Sequence, residues 1–492
     1  MSMGLNAVLG VTLAGLLSAL AGCAVNPVSG QSDFMLMSQE QEISLGREEH
    51  PNILKQYGKY GHVELQAYVE MVGQRLAAVS HRSDLSYHFT LLDSPEVNAF
   101  ALPGGYVYIT RGLLSYLNSE AEMAAVLGHE IGHVTARHGA RQYSAAMATG
   151  LGVTLGSILV PELRQQSAQD LLNVLGTALL RGYGREHELE ADRLGAEYLA
   201  RSGYDPQAMI QVIRVLKNQE QFELQLAREE NREPRIYHGV FSTHPDNDQR
   251  LHEVVGAAGK VPPAGAVRTV ERGPFLARLQ GLIFGPGAHE GVVRGQEFYH
   301  RDLDIGARYP AGWRVDNLSD RILATAPQQA AMLQTEVEVL KQALAPEPYL
   351  AQRFKGGTLT DGAALSGQPL PGYSARILLN TALGRREARV IAVARGLQMY
   401  LFIGVTHDAD AGSRFDGDFL ATARSLHALT TAERELAEPL RLAVIKAAAG
   451  ATFSQLAGDS RIPHHAEEQL RLLNDRYPQG EPQAGEAIKV VR

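Results

Sequence analysis

The chain is short of cysteine. Cys23 is the only one among 492 residues, so no disulfide within the chain can brace the fold. It is also short of positive charge: 46 Lys and Arg stand against 54 Asp and Glu. The resulting net charge of −8 argues against nucleic acid as a partner. A long apolar run is missing too. The best candidate, residues 145–160, has 16 residues with three glycines, below the ~20 that a spanning helix requires. It reads as a mobile or membrane-apposed helical hairpin, with a lid role open to it, or equally as a plain buried helix. No tetratricopeptide period stands out, so a repeat array of that kind is not indicated. What remains, 45% hydrophobic and 20% charged, is the composition of an ordered chain with room for two to four domains.

Against that background, His129-Glu130-Ile131-Gly132-His133 is an H-E-x-x-H motif. Two His four apart on a helix are rotated by only about 40° and lie roughly 6 Å apart along the axis. Both imidazoles can then reach one ion at about 2.0–2.1 Å. Ser119 offers an N-cap, Glu120 and Glu122 an acidic first turn, and Met123, Val126, Leu127, Ile131 and Val134 an apolar stripe. The spacing therefore predicts a half-buried helix under a cleft. Glu130, beside the first His, is placed to take a proton from an attacking water rather than to ligate.

A catalytic zinc needs a third protein ligand and an open position, and His₂Glu is one known solution. Glu188, in Glu188-Leu189-Glu190-Ala191-Asp192, is the candidate, for one Zn²⁺ per chain. Asp192 lies one turn later on the same helical face, where it can accept the second N–H of a ligating His. Glu190 points about 200° away from Glu188 and is left out. His138, nine residues after His129, falls about 180° round a continuous helix and reads as a surface or helix-end residue. A metzincin site would need Gly and His where this chain has Ala136 and Gly139.

These motifs resemble the gluzincin metalloendopeptidases that include HtpX, the CAAX prenyl protease and the periplasmic BepA-like proteins. Three further segments fit that family: Asn98-Ala99-Phe100-Ala101-Leu102-Pro103-Gly104-Gly105, Tyr183-Gly184-Arg185-Glu186, and Ser242-Thr243-His244-Pro245. The likeness covers roughly residues 25–260. It implies that His129, His133 and Glu188 bind zinc, that Glu130 is the general base, and that polypeptides are the substrates. It also implies that Asn98, Ala99 and Phe100 lie at a substrate-binding edge strand. Arg185, Tyr183 and His244 are each open as oxyanion stabilisers, and His244 has a second reading as a reversible latch on the metal or a third as a structural residue. The residues of 98–110 themselves read as strand, turn, strand, compatible either with peptide binding by strand addition or with a buried hairpin.

At the N-terminus an apolar stretch, residues 8–20, ends in Leu20-Ala21-Gly22-Cys23. A short apolar core followed by small residues is an export signal rather than a span. The last four residues resemble the bacterial lipoprotein box, which implies lipidation at Cys23 and a mature chain tethered in the periplasm. Ala24 after the cysteine favours the outer membrane over the inner. One departure is the absence of Lys and Arg from the first ten residues.

The expected organisation is α+β. Residues 1–22 are a lipoprotein signal peptide, and 23–262 a mainly helical zincin domain with a small edge-strand sheet. A linker follows over 263–292, introduced by the Pro/Gly-rich stretch 259–265, then an α+β accessory domain over 293–430 without a catalytic constellation. Residues 440–492, β-α-α-β in order, weakly resemble a LysM-type module, which implies peptidoglycan as a partner. In the first domain Ala67, Val69, Val72, Leu76 and Val79 are spaced as a core face. The functional expectation is a zinc endopeptidase acting on unfolded or misassembled envelope proteins, with outer-membrane assembly machinery as a further partner. The alternative is a non-proteolytic chaperone or assembly factor that uses the same cleft.

Overall fold

The computed structural model describes residues 23–150, 183–230, 232, 234, 255–256, 272–318, 321–381, 384–408 and 412–492. The expected signal peptide, most of the 145–160 segment, the 263–271 part of the expected linker, and His244 lie outside the described residues. The chain forms two compact units, one ending at Phe284 and regaining Arg441–Arg492, the other Gly285–Leu440. The mixture of helices and sheets is the α+β class expected.

In the first unit, strands β1 (Cys23–Val25) and β2 (Ser32–Phe34) pair antiparallel. Two helices follow, Gln39–Tyr57 and Val63–Ala77. The first starts at Ser38, whose side chain and that of Gln41 each bond the other's backbone N–H in a capping box. The second buries Leu65, Tyr68, Val69, Val72, Gly73, Leu76 and Ala77. Ala67, expected on that face, is exposed and Val79 is half-buried; a small side chain marks a helical face weakly, and Tyr68 takes the inward position instead.

A three-stranded sheet comes next: β3 (His88–Leu92), β4 (Ala99–Leu102) and β5 (Tyr106–Thr110), in the order β3-β5-β4. β3 runs parallel to β5, and β4 antiparallel to it. The β4–β5 turn needs glycine. Gly104 has φ +84°, and a Cβ there would stand 2.7 Å from Ile43 Cα and 2.8 Å from Glu42 O. β4 is thus an edge strand, as expected, but all four of its side chains are buried.

The helix carrying the H-E-x-x-H motif spans Glu120–Thr135 and is capped by Ser119, which accepts from Glu122 N at 3.1 Å. It is not half-buried as its stripe suggested: every residue but Ala121 is buried. Its polar positions are absorbed by partners distant in sequence. Glu120 accepts from Tyr204 Oη at 2.6 Å and Arg75 Nη1 at 3.1 Å, and Glu122 accepts from Asn118 N at 2.7 Å. Two further helices, Arg185–Arg201 and Ala208–Glu229, pack against it.

Arg441–Arg492 rejoin this unit rather than standing apart as a module. They run β18 (Leu440–Lys446), helix Phe453–Gly458, helix Ala466–Leu473, β19 (Ala487–Val491), the β-α-α-β order expected. β18 lies between β19 and β6 (Ile283–Phe284), with Leu442 N donating to Leu282 O and Leu442 O accepting from Gly281 N, both at 2.8 Å. Lys489, fully buried, donates from Nζ to Ser115 O at 2.6 Å and Leu117 O at 2.8 Å. These bonds extend the first unit to Phe284, past the boundary read at 262.

The second unit contains a four-stranded sheet and a seven-stranded one. The first comprises β7 (Val292–Arg294), β8 (Glu297–His300), β9 (Ile305–Arg308) and β17 (His427–Ala428). The second comprises β10 (Arg314–Asn317), β11 (Ile322–Thr325), β12 (Ala331–Val339), β13 (Thr360–Ala364), β14 (Gly372–Thr381), β15 (Gly384–Arg395) and β16 (Gln398–Thr406). Its order, β10-β11-β12-β16-β15-β14-β13, is antiparallel throughout. The helix Gly412–Arg424 covers one face, where Trp313 meets Phe415 and Phe419 edge to face.

Candidate metal centre

The site is built by two helices that touch backbone to backbone. On the motif helix Gly128 and Gly132 are four apart; on the helix Arg185–Arg201 so are Ala191 and Gly195. A Cβ on Gly132 would lie 2.8 Å from Ala191 O, and one on Gly195 would lie 2.9 Å from His129 N. Only glycine permits that approach. It brings Glu188 and Asp192 beside His129 and His133.

The result is a convergent donor set. His129 Nε2 and His133 Nε2 are 2.9 Å apart. Glu188 Oε2 stands 3.4 Å from the first and 3.7 Å from the second. That oxygen is buried and has no hydrogen-bond partner, whereas Oε1 accepts from Tyr183 N at 2.9 Å. The ligand atoms of these three residues lie within 4.8 Å of one another, and among the described residues no other His/Cys/Asp/Glu group meets that test. A buried carboxylate oxygen without a hydrogen bond, facing two imidazole nitrogens, calls for positive charge between them, a metal ion or a proton on the imidazole. Two His and one Glu around one point match the His₂Glu donor set of a catalytic zinc.

Charge balance agrees. Burial alone would lower the His129 pKa, but the hydrogen bond with Asp192 and the carboxylates of Glu188 and Glu130 beside it push it up to about 10. Burial raises Glu188, yet the neighbouring imidazoles overcome it and hold the carboxyl well below the usual range. In the metal-free protein a proton on His129 thus faces the ionised Glu188 carboxylate. Glu130 is buried at 3% exposure, and that burial raises its pKa against the pull of His129 and His133.

Each imidazole is held from behind. His129 Nδ1 is 2.8 Å from Asp192 Oδ1, the contact expected of Asp192. His133 Nδ1 is 2.8 Å from Nδ1 of His138, whose Nε2 is 3.2 Å from Glu190 Oε2. Arg141 Nη1 donates to that same oxygen at 2.8 Å. His138 is therefore not a surface residue: it is fully buried, and burial holds its pKa well below the usual imidazole range. A continuous helix would have turned His138 away from His133, but the helix is not continuous. It ends at Thr135, Arg137 adopts φ 57°, and a new helix begins at His138. Glu190, set aside for pointing away from Glu188, reaches His138 for the same reason. The legible signal for this close helix pairing was the small-residue spacing of Gly128, Gly132, Ala191 and Gly195.

Of the other expected residues, Tyr183 packs its ring 4.5 Å from that of His133, while Arg185 is exposed. Phe100 stacks on Tyr108 at 4.8 Å within a core cluster that includes Leu92 and Leu102. Its side chain is committed to packing. Ala99 is buried, and Asn98 Oδ1 is buried without a hydrogen-bond partner. Cys23 begins strand β1.

Residues 64–258 match the model of Peptidase family M48. The chain is 35% identical over 206 residues to the Beta-barrel assembly-enhancing protease of Escherichia coli, covering 40% of each. To the Mitochondrial metalloendopeptidase OMA1 of Arabidopsis thaliana it is 40% identical over 132 residues, 26% of each. It is 32% identical over 185 residues to the protein of the same name from Schizosaccharomyces pombe, 37% of this chain and 54% of that one. The chain thus spans well under two thirds of the first of these relatives.

Proposed function

We propose that this chain, whose residues 64–258 match the model of Peptidase family M48, hydrolyses peptide bonds with a zinc ion held by His129, His133 and Glu188. The observation that carries the reading is the unpartnered, buried Glu188 Oε2 aimed at two converging imidazole nitrogens. When bound, zinc makes an attacking water more acidic and polarises the scissile carbonyl. Glu130, buried next to the donor set, takes the water's proton and returns it to the leaving amine; its raised pKa suits both halves of that exchange. Asp192 fixes the His129 tautomer through the 2.8 Å contact to Nδ1. Of the Asn98–Phe100 segment, the backbone edge of β4 is what we assign to an extended polypeptide, since the side chains of Ala99 and Phe100 are buried.

The substrates we propose are unfolded or misassembled envelope proteins, in keeping with the name of the Escherichia coli relative. Periplasmic placement through a lipid on Cys23, and peptidoglycan contact by residues 440–492, rest on the sequence resemblances. No helix among the described residues is long and apolar enough to cross a membrane. His244 is assigned to the site on sequence alone. Higher activity in His244→Ala makes it a latch, and lower activity an oxyanion stabiliser.

The test is zinc content and cleavage of an unfolded protein by the wild type and Glu130→Gln. The expected result is one zinc in both and cleavage at least about 10²-fold slower in the variant. Cleavage by the variant at the wild-type rate, or a wild type without zinc, would overturn the assignment.

A further inference from the structure

The His138–Glu190 pair has no place in the reaction just described, yet both residues are built into the centre. We propose that His138 and Glu190 are positioning residues: a two-residue relay that fixes the orientation and tautomer of the His133 ligand, as Asp192 does directly for His129. The proposal rests on the zinc reading of the site.

The proton inventory runs in one direction. If His133 offers its Nε2 lone pair to the metal, its Nδ1 carries the hydrogen. Among the described residues that nitrogen meets His138 Nδ1 at 2.8 Å, which must then accept. An imidazole accepting at Nδ1 donates at Nε2, and Glu190 Oε2 lies 3.2 Å away to receive it. Arg141 Nη1, at 2.8 Å, holds that carboxylate in place. A reversed tautomer of His138 would set two N–H groups against each other at His133.

The backbone shows what the arrangement requires. His138 reaches His133 only because Arg137 takes the left-handed conformation, φ 57°, which is costly for a non-glycine residue. A buried ionic cluster secures that turn. Glu42 receives Arg137 Nε at 3.0 Å and Arg82 Nη1 at 3.1 Å, while Arg137 Nη2 donates to Met37 O at 2.8 Å. The ring of His187 stacks on His138 at 4.3 Å and closes its other side.

The test measures zinc affinity by chelator competition, the visible spectrum of the cobalt(II)-substituted protein, and thermal unfolding of the metal-free protein. The variants are His138→Phe, His138→Asn and Glu190→Ala. His138→Phe removes the acceptor and is expected to weaken zinc binding by about 10–100-fold and to shift the cobalt bands. His138→Asn can place an acceptor oxygen near the Nδ1 position and should recover most of that loss. Wild-type zinc affinity and cobalt spectrum in His138→Phe, with only the unfolding temperature lowered, would overturn the relay and leave a packing role. Should His138→Phe fail to fold, Glu190→Ala decides: weaker zinc binding supports the relay, and wild-type binding overturns it. A wild type that binds no zinc would instead sink the metal reading on which the relay depends.

Discussion

Substituting Gly132 by Ala probes the feature that assembles the site. The added Cβ would stand 2.8 Å from Ala191 O, 3.0 Å from Ala191 Cα and 3.3 Å from Ala191 C. All three are backbone atoms, so no rotamer change relieves the contact. The helix pair must open by roughly half an ångström to restore ordinary van der Waals distance. Overpacking of this kind costs about 1–3 kcal/mol, offset by about 0.5–1 kcal/mol from replacing glycine inside a helix. The net expectation is a loss of about 1 kcal/mol, and at most about 2.5 kcal/mol. Gly128→Ala is the internal control, because its nearest atoms lie at 3.3 Å and 3.4 Å; there the helix-propensity gain and a mild contact nearly cancel. The two variants should also differ at the metal. A half-ångström shift matches the tolerance of a preorganised site, and it would move Glu188 and Asp192 away from His129. Zinc affinity should fall about tenfold or more in Gly132→Ala and stay near wild type in Gly128→Ala. Urea unfolding midpoints and chelator competition read both quantities. Equal stability and equal zinc affinity in the two variants would refute the claim that the glycine crossing positions the ligands.

Three other outcomes follow from the same geometry. Asp192→Asn should retain the fold but bind zinc about 10–100-fold more weakly, because the carboxylate behind His129 is lost; unchanged chelator competition would count against its role. In the metal-free protein the His129 pKa is pushed up to about 10, so at pH 7 the ring carries a proton that the metal must displace. Apparent zinc affinity should therefore rise with pH across the neutral range, with proton release seen as a buffer-dependent heat in calorimetry; identical heats in buffers of different ionisation enthalpy would contradict this. Lys489→Ala removes the donor to Ser115 O and Leu117 O and should destabilise the first unit by about 1–3 kcal/mol for each carbonyl left unpaired, measurable in the same urea experiment.

Local patterns announced much of this molecule. The motif helix and its Ser119 cap were visible because capping and a 3.6-residue period are properties of neighbouring residues. The same holds for much of the second unit: β-prone residues cluster at 305–309, 321–326, 335–339, 373–379, 389–394 and 398–405, and β9, β11, β12, β14, β15 and β16 form there, with β12, β14 and β15 longer than the clusters. What escaped was set by tertiary contacts. The helix stop at Thr135 carries no proline, and the left-handed turn at Arg137 is held by Glu42, 95 residues away. His138 consequently fell on the wrong side of an imagined continuous helix, and Glu190, which does point away from Glu188, was left without the partner it meets. Burial of the motif helix on all sides was hidden because Glu120 and Glu122 look solvent-seeking until Tyr204, Arg75 and Asn118 are seen around them. The return of the C-terminal segment to the first unit depends on the pairing of β18 with β6, a contact between residues far apart in sequence.

The most direct test of the metal centre is anomalous diffraction at the zinc absorption edge from crystals of the zinc-replete protein. One peak is expected, about 2.0–2.2 Å from His129 Nε2, His133 Nε2 and Glu188 Oε2. A peak bound by other residues, or none at this position, would contradict it.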